Sequence, residues 1–162
     1  MFKNKKILAG GAVFFVAAFW FYIKPHYMDA KPPVVFTEQQ IAEAARPTVT
    51  LPEKVFNLKA PASAPNYVKA VIALEFADPE HKFIKLKGEP LALANEAFTK
   101  EHEPEMHRIS DVITALMASH TLEELVTTEG REKLKDEIVI ALNHELAHEK
   151  VENVYFATFI TQ

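Results

Sequence analysis

Hydrophobic positions change their rhythm along the chain. Residues 7–23, ILAGGAVFFVAAFWFYI, are apolar without interruption. Residues 24–66 have no sustained rhythm and are broken by Pro25, Pro32, Pro33, Pro47, Pro52, Pro61 and Pro65, which stiffen a segment toward an extended form. Within that stretch, Thr37-Glu38-Gln39-Gln40 has the form of a capping box and predicts a short helix over about 37–45. Residues 54–58 suit a short strand. Residues 67–76 alternate: Val68, Ala70, Ile72, Leu74 and Phe76 face one way, with Lys69 and Glu75 opposite. A period of two marks a half-buried strand.

Residues 77–103 carry no readable rhythm, and Asp78-Pro79 and Gly88 interrupt them. From about 104 to 119 the spacing turns helical, with Met106, Ile109, Val112, Ile113, Leu116 and Met117 recurring on one side. Thr121-Leu122-Glu123-Glu124 is a second capping box and opens a short helix to about 126. A longer helix is predicted over 129–147, with Leu134, Ile138, Ala141, Leu142 and Leu146 on one face. Residues 151–161, rich in Val, Tyr, Phe, Thr and Ile, favour a strand. The pattern predicts an α+β domain over residues 49–162, preceded by a proline-rich spacer over 24–48.

The apolar run has the length of a membrane anchor. Spanning the hydrocarbon core takes roughly 20 apolar residues, and residues 7–23 would cover ~25 Å as a helix. Lys6 and Lys24 can snorkel at its ends. Trp20, Tyr22 and Tyr27 gather where aromatic rings prefer the interface. The positive charges of Lys3, Lys5 and Lys6 place residues 1–6 in the cytoplasm and the domain outside. A cleaved signal peptide is the rival reading, but such peptides have shorter apolar regions followed by small residues. This run ends in Phe19-Trp20-Phe21-Tyr22.

Composition narrows the chemistry. The 162 residues include no Cys, which excludes a disulfide scaffold, a thiolate metal site and a cysteine nucleophile. A net charge of −4 argues against a nucleic-acid partner, which would call for a basic face. No phosphate-binding, dinucleotide or hydrolase-elbow motif occurs. One catalytic motif does occur: His144-Glu145-Leu146-Ala147-His148 reads HExxH. On a helix its histidines could share a zinc while Glu145 activates a water. Such a site needs a third protein ligand, and no His follows His148. A membrane-anchored zinc peptidase on His144, Glu145 and His148 is therefore the alternative reading, with no metal or cofactor as the leading expectation.

An ordered set of residues resembles the flagellar basal body-associated FliL family. It begins with Phe56-Asn57-Leu58 and continues through Ile109, Asp111, Val112 and Ile113. It then runs through Thr121 to Leu125, Thr128 to Ile138 with Gly130, and Leu142-Asn143. It closes on Val154-Tyr155-Phe156-Ala157-Thr158-Phe159-Ile160-Thr161-Gln162. Ala157 stands where a hydroxyl residue is expected. The resemblance implies a single-pass protein of the inner membrane whose periplasmic domain has a stomatin-type (SPFH) fold. It also implies assembly as a homo-oligomeric ring around the stator units, the MotA/MotB complex, in support of torque, motility or swarming. Basal body components and membrane lipid are the other implied partners, and no catalysis is implied. Most of the matching positions are expected to serve the fold: Thr121 as a helix cap, Gly130 at a close approach or in a first helical turn, and Asn143 as a local hydrogen-bonding group. Tyr155, Phe156 and Phe159 are expected to supply strand core and one exposed face. A generic extracytoplasmic binding domain is the third reading.

Overall fold

Strand β3 (Tyr67–Phe76) organises the molecule. The computed structural model describes residues 36–162. The anchor predicted over 7–23 lies outside the described residues, as do residues 1–6 and the start of the spacer. Among the described residues, no helix is long and apolar enough to cross a membrane. Glu38–Gln162 form one compact unit.

The period-two pattern of β3 is realised fully. Val68, Ala70, Ile72, Leu74 and Phe76 are all buried, while Lys69, Val71, Ala73 and Glu75 are half-buried. Strand β4 (Val151–Thr161) pairs antiparallel along almost the whole of β3. The other edge of β3 is taken by two short antiparallel strands, β1 (Thr48–Thr50) and β2 (Lys54–Asn57). Because a strand has two edges and β4 occupies one, β1 and β2 are successive pieces of one broken strand, interrupted at Pro52 and Glu53. Proline has no N–H to give to a ladder, so the break falls where it costs least. The result is a mixed α/β fold built on an antiparallel sheet three strands wide.

Helices cover one face of that sheet. Helix α1 (Glu38–Ala42) precedes β1, and α2 (Glu89–Glu101) follows β3. A 3₁₀ turn over Glu103–Glu105 then leads into α3 (Met106–Ser119), α4 (Leu122–Leu125) and α5 (Thr128–Glu145). Ile109, Ile113 and Met117 of α3 and Leu134, Ile138 and Leu142 of α5 join the buried face of β3 in one core. Fully burying such a side chain contributes about 1.5–3 kcal/mol.

Several expectations are corrected. Strand β1 and helix α2 are additions to the predicted pattern. Helix α2 buries none of its residues, so its apolar positions form no stripe that periodicity could reveal. Gly88, read as a break, is its N-cap, at φ 58°, with Pro90 in the first turn. The third helix begins at Met106 rather than near 104. Helix α5 stops at Glu145 rather than 147.

Aromatic contacts and one histidine fasten α2 to the core. The Phe98 ring lies 5.2 Å from Phe76 and 4.1 Å from the His102 ring, centroid to centroid. His102 is buried. Its Nδ1 lies 2.7 Å from the Phe98 carbonyl oxygen and its Nε2 3.2 Å from Glu149 Oε1. Both neighbours accept, so both bonds are complete only when the ring carries two protons. Burial works against that charge. The Phe98 carbonyl, the Glu149 carboxylate and, more distantly, Glu105 outweigh it and raise the His102 pKa above 6.5.

The corner between α4 and α5 is equally constrained. Thr121 caps α4 in a reciprocal capping box with Glu124. The Thr127 hydroxyl donates to the Glu124 carbonyl and accepts from Gly130 N, at 2.8 and 2.9 Å. A Cβ on Gly130 would run into the Glu124 carbonyl oxygen.

Two outcomes follow for stability. Gly130→Ala should destabilise the domain by about 1–3 kcal/mol, the usual range for forced overpacking, measured by urea unfolding. A raised histidine pKa stabilises the fold fully below the unfolded value, near 6.5, and that contribution fades as pH climbs through the folded value. The thermal midpoint of the parent chain should therefore fall, relative to Glu149→Gln, as pH rises upward from about 6.5. Parallel pH profiles for the two proteins would contradict the linkage.

Candidate functional site: an uncovered sheet face

Among the described residues, no helix covers the second face of the sheet. Register places its residues in rows across the strands. Val55, Lys69 and Ile160 form one row, and Ala73 with Tyr155 another. Antiparallel sheets commonly leave one face to solvent, but that face is then polar. Here Val55 is 59% exposed, Ile160 48% and Tyr155 47%, with half-buried Val71 and Ala73 beside them. Lys69 is held at 2.8 Å by Glu53.

One end of the face is polar and locked. Glu75 accepts from Asn153 Nδ2 at 3.2 Å and pairs with Arg46 at 3.4 Å, and Arg46 also pairs with Glu152. Burial, then the hydrogen bond to Glu75 and its charge, push the Tyr155 hydroxyl pKa up, while Arg46 opposes them. The face presents exposed aliphatic and aromatic groups on either side of the Lys69–Glu53 pair, with a fixed ionic cluster at one end.

The residues singled out from sequence are distributed through the fold. Asn57 ends β2 on the uncovered side, opposite Tyr67. Gln162 exchanges backbone hydrogen bonds with Tyr67, both 2.9 Å, and prolongs the β3–β4 ladder. Phe156 and Phe159 lie on the helix side, with ring centroids 4.8 Å apart. They share that side because the ladder slips at Ala157, and a second slip at Glu152 brings Val151 and Val154 onto it. Tyr155 alone of the three ring residues belongs to the uncovered face. Leu142 is fully buried. Asn143 donates through Nδ2 to the Val151 carbonyl at 2.9 Å and accepts from Val151 N at 2.8 Å. Thr121 and Gly130 build the α4–α5 corner.

The zinc-motif geometry is a correction. Helix α5 ends at Glu145, and Leu146 is already extended, at φ −85° and ψ 126°. His144 is on the helix and His148 is beyond it, so one helical face does not carry both. Arg108 donates to Glu145 Oε1 through two nitrogens, at 3.0 and 2.7 Å, and to the Glu145 carbonyl at 2.7 Å. That carboxylate is engaged as an ion-pair partner. Among the described residues, no cluster of three His, Asp or Glu side chains is arranged to hold a metal ion.

Sequence reasoning missed Val55 and Ile160. Their signal was an inverted pattern: in Lys54-Val55-Phe56-Asn57 the lysine takes an inward position and the valine an outward one.

Comparison with known proteins agrees with the resemblance. Residues 48–162 match the family described as flagellar basal body-associated protein FliL. The match starts at β1 and takes in every later strand and helix. A flagellar protein FliL of Aquifex aeolicus (strain VF5) is 34% identical over 110 residues, covering 64% of this chain and 68% of that protein. With the greater part of its length matched, the chain belongs to the flagellar basal body-associated FliL family.

Proposed function

We propose that this chain is a non-enzymatic accessory of the flagellar motor. It supports torque, motility or swarming by assembling as a homo-oligomer around the stator complex, MotA/MotB, and stabilising it. In this reading residues 7–23 anchor it in the inner membrane, residues 1–6 lie in the cytoplasm, and residues 49–162 form a periplasmic domain of stomatin (SPFH) type. The spacer over 24–48 sets the height of that domain above the bilayer. Family membership supports the flagellar role.

The observation that carries the contact is the uncovered apolar face of Val55, Tyr155 and Ile160. Exposed aliphatic and aromatic groups gathered on one surface mark interaction sites when a polar rim surrounds them. Tethering copies to one plane raises their effective concentration, so weak lateral contacts suffice.

Placing an unpaired ammonium in such a contact costs several kcal/mol once water is excluded. Ile160→Lys and Val55→Lys should therefore abolish swimming and swarming in the source cell. Their thermal midpoints should stay near that of the parent, because both side chains are already solvent-exposed. Leu93→Lys, on the outer side of α2, should leave motility unchanged. Normal swarming by the Ile160→Lys strain would remove the face from the proposal. Recovery of stator protein with the parent chain but not with Ile160→Lys would support it.

A further inference from the structure

Away from the uncovered face, a cleft opens between the β1–β2 edge and α3. Its volume is about 330 Å³. Val49, Phe56, Ile72 and Ile113 give it an apolar floor, and Met106 contributes from the start of α3. Among the described residues, no Asp or Glu lines it, in a chain whose net charge is −4. Its ionisable lining groups are Lys54 and His107.

Lys54 is the unusual member. It lies opposite Ala70 in the ladder, on the side that the helices cover, with its side chain exposed at the rim of the cleft. Its ammonium donates to Ser110 Oγ at 3.2 Å and Thr114 Oγ1 at 2.9 Å and stands 5.3 Å from the Phe56 ring centre. Two neutral hydroxyls orient the ammonium without cancelling its charge, and a third N–H remains to be used. A cation fixed above a hydrocarbon floor complements a molecule with an anionic head and an apolar body.

We infer that this cleft binds a free medium-chain carboxylate, with its hydrocarbon on the apolar floor and its head on Lys54. The size is argued from volume. An apolar cavity of ~150 Å³ accepts benzene, so a little over twice that room suits roughly twelve heavy atoms, the size of decanoate. The cleft is at the small end of ligand sites, which run from about 300 to 1,000 Å³, and has too little volume to enclose a full membrane acyl chain. An inorganic anion would leave the floor unused, and an alkane would leave the ammonium unanswered. The inference is independent of the motor reading and of the uncovered face.

The test uses the full chain in lipid nanodiscs, labelled at its methionine methyl groups. Met106 reports the cleft and Met117 the core. Met1 and Met28 flank the apolar run and report partitioning into it. Decanoate should move the Met106 signal saturably and leave Met117 in place. Lys54→Met should weaken that binding roughly tenfold or more, the usual worth of a hydrogen bond to a charged group, and decanol should bind the parent more weakly by a similar factor. Ser110→Leu, which fills the cleft from a half-exposed helix position, should abolish the shift while the Met117 signal shows the core intact. Four results would overturn the assignment: a Met106 shift that never saturates, one indifferent to Lys54→Met, decanol binding as tightly as decanoate, or a response to an apolar peptide where decanoate gives none. The last would make the cleft a peptide-docking site instead.

Discussion

The fold depends on the two-edged pairing of β3. A strand alternates its side chains strictly, so once Val68, Ala70, Ile72, Leu74 and Phe76 face inward, a one-residue slip would turn all of them to water. Every neighbour is adjusted to that fixed series. Strand β4 carries its apolar residues at 151, 154, 156 and 159, a spacing that no regular strand puts on one side. Its two register slips, at Glu152 and Ala157, bring them into line with β3. Helices α3 and α5 then have one surface on which to bury their stripes, and α2 is attached afterwards through Phe98 and His102.

Among the described residues, a two-layer arrangement leaves one sheet face without a cover, and the side chains there decide what it does. Most of β3 and β4 obeys the ordinary pattern, with polar or small residues outward. The departures are local. Val55 and Ile160 flank Lys69 on the outside, and Lys54 takes an inward position at the edge. Sequences that fold well are consistent across levels, and violations gather where something other than stability is selected. By that criterion β2 is the most informative strand in the chain. Its residue pointing out defines the uncovered face, and its residue pointing in defines the cleft.

How much of this was legible in the sequence follows from the same physics. Strand β3, helix α3 and most of α5 were readable because each buries a periodic stripe, and α4 because its capping box is a local sequence signal. Helix α2 was not, since none of its residues is fully buried and it meets the core mainly through Phe98. Strand β1 is three residues long, too short for a period to show. The overlong α5 has a specific cause: Leu146 falls on the helical stripe and is buried, yet it reaches the core from extended backbone. The uncovered face and the cleft were illegible because each depends on what lies against β2. Lys54 and Ser110 are 56 positions apart, and no local pattern encodes their meeting.

The residues that carried the family resemblance turn out to explain why the tempting zinc motif is not one. Asn143 offers its amide to Val151 as a strand neighbour would, donating to the carbonyl and accepting from the N–H. That bridge requires the chain to leave α5, reverse and begin β4 within the seven residues between them. A helix continued through His148 would rise ~1.5 Å per residue away from Asn143 and leave only Glu149 and Lys150 to return. The asparagine bridge and a helical HELAH segment therefore exclude each other. The bridge also has the core on its side, since Val151 and Leu146 are both buried on either side of the reversal. Thr121, Gly130 and Asn143 thus act on the path of the backbone, at the two ends of α5. They fix how that helix lies against the sheet, and the surface open to a partner is what remains once that path is set.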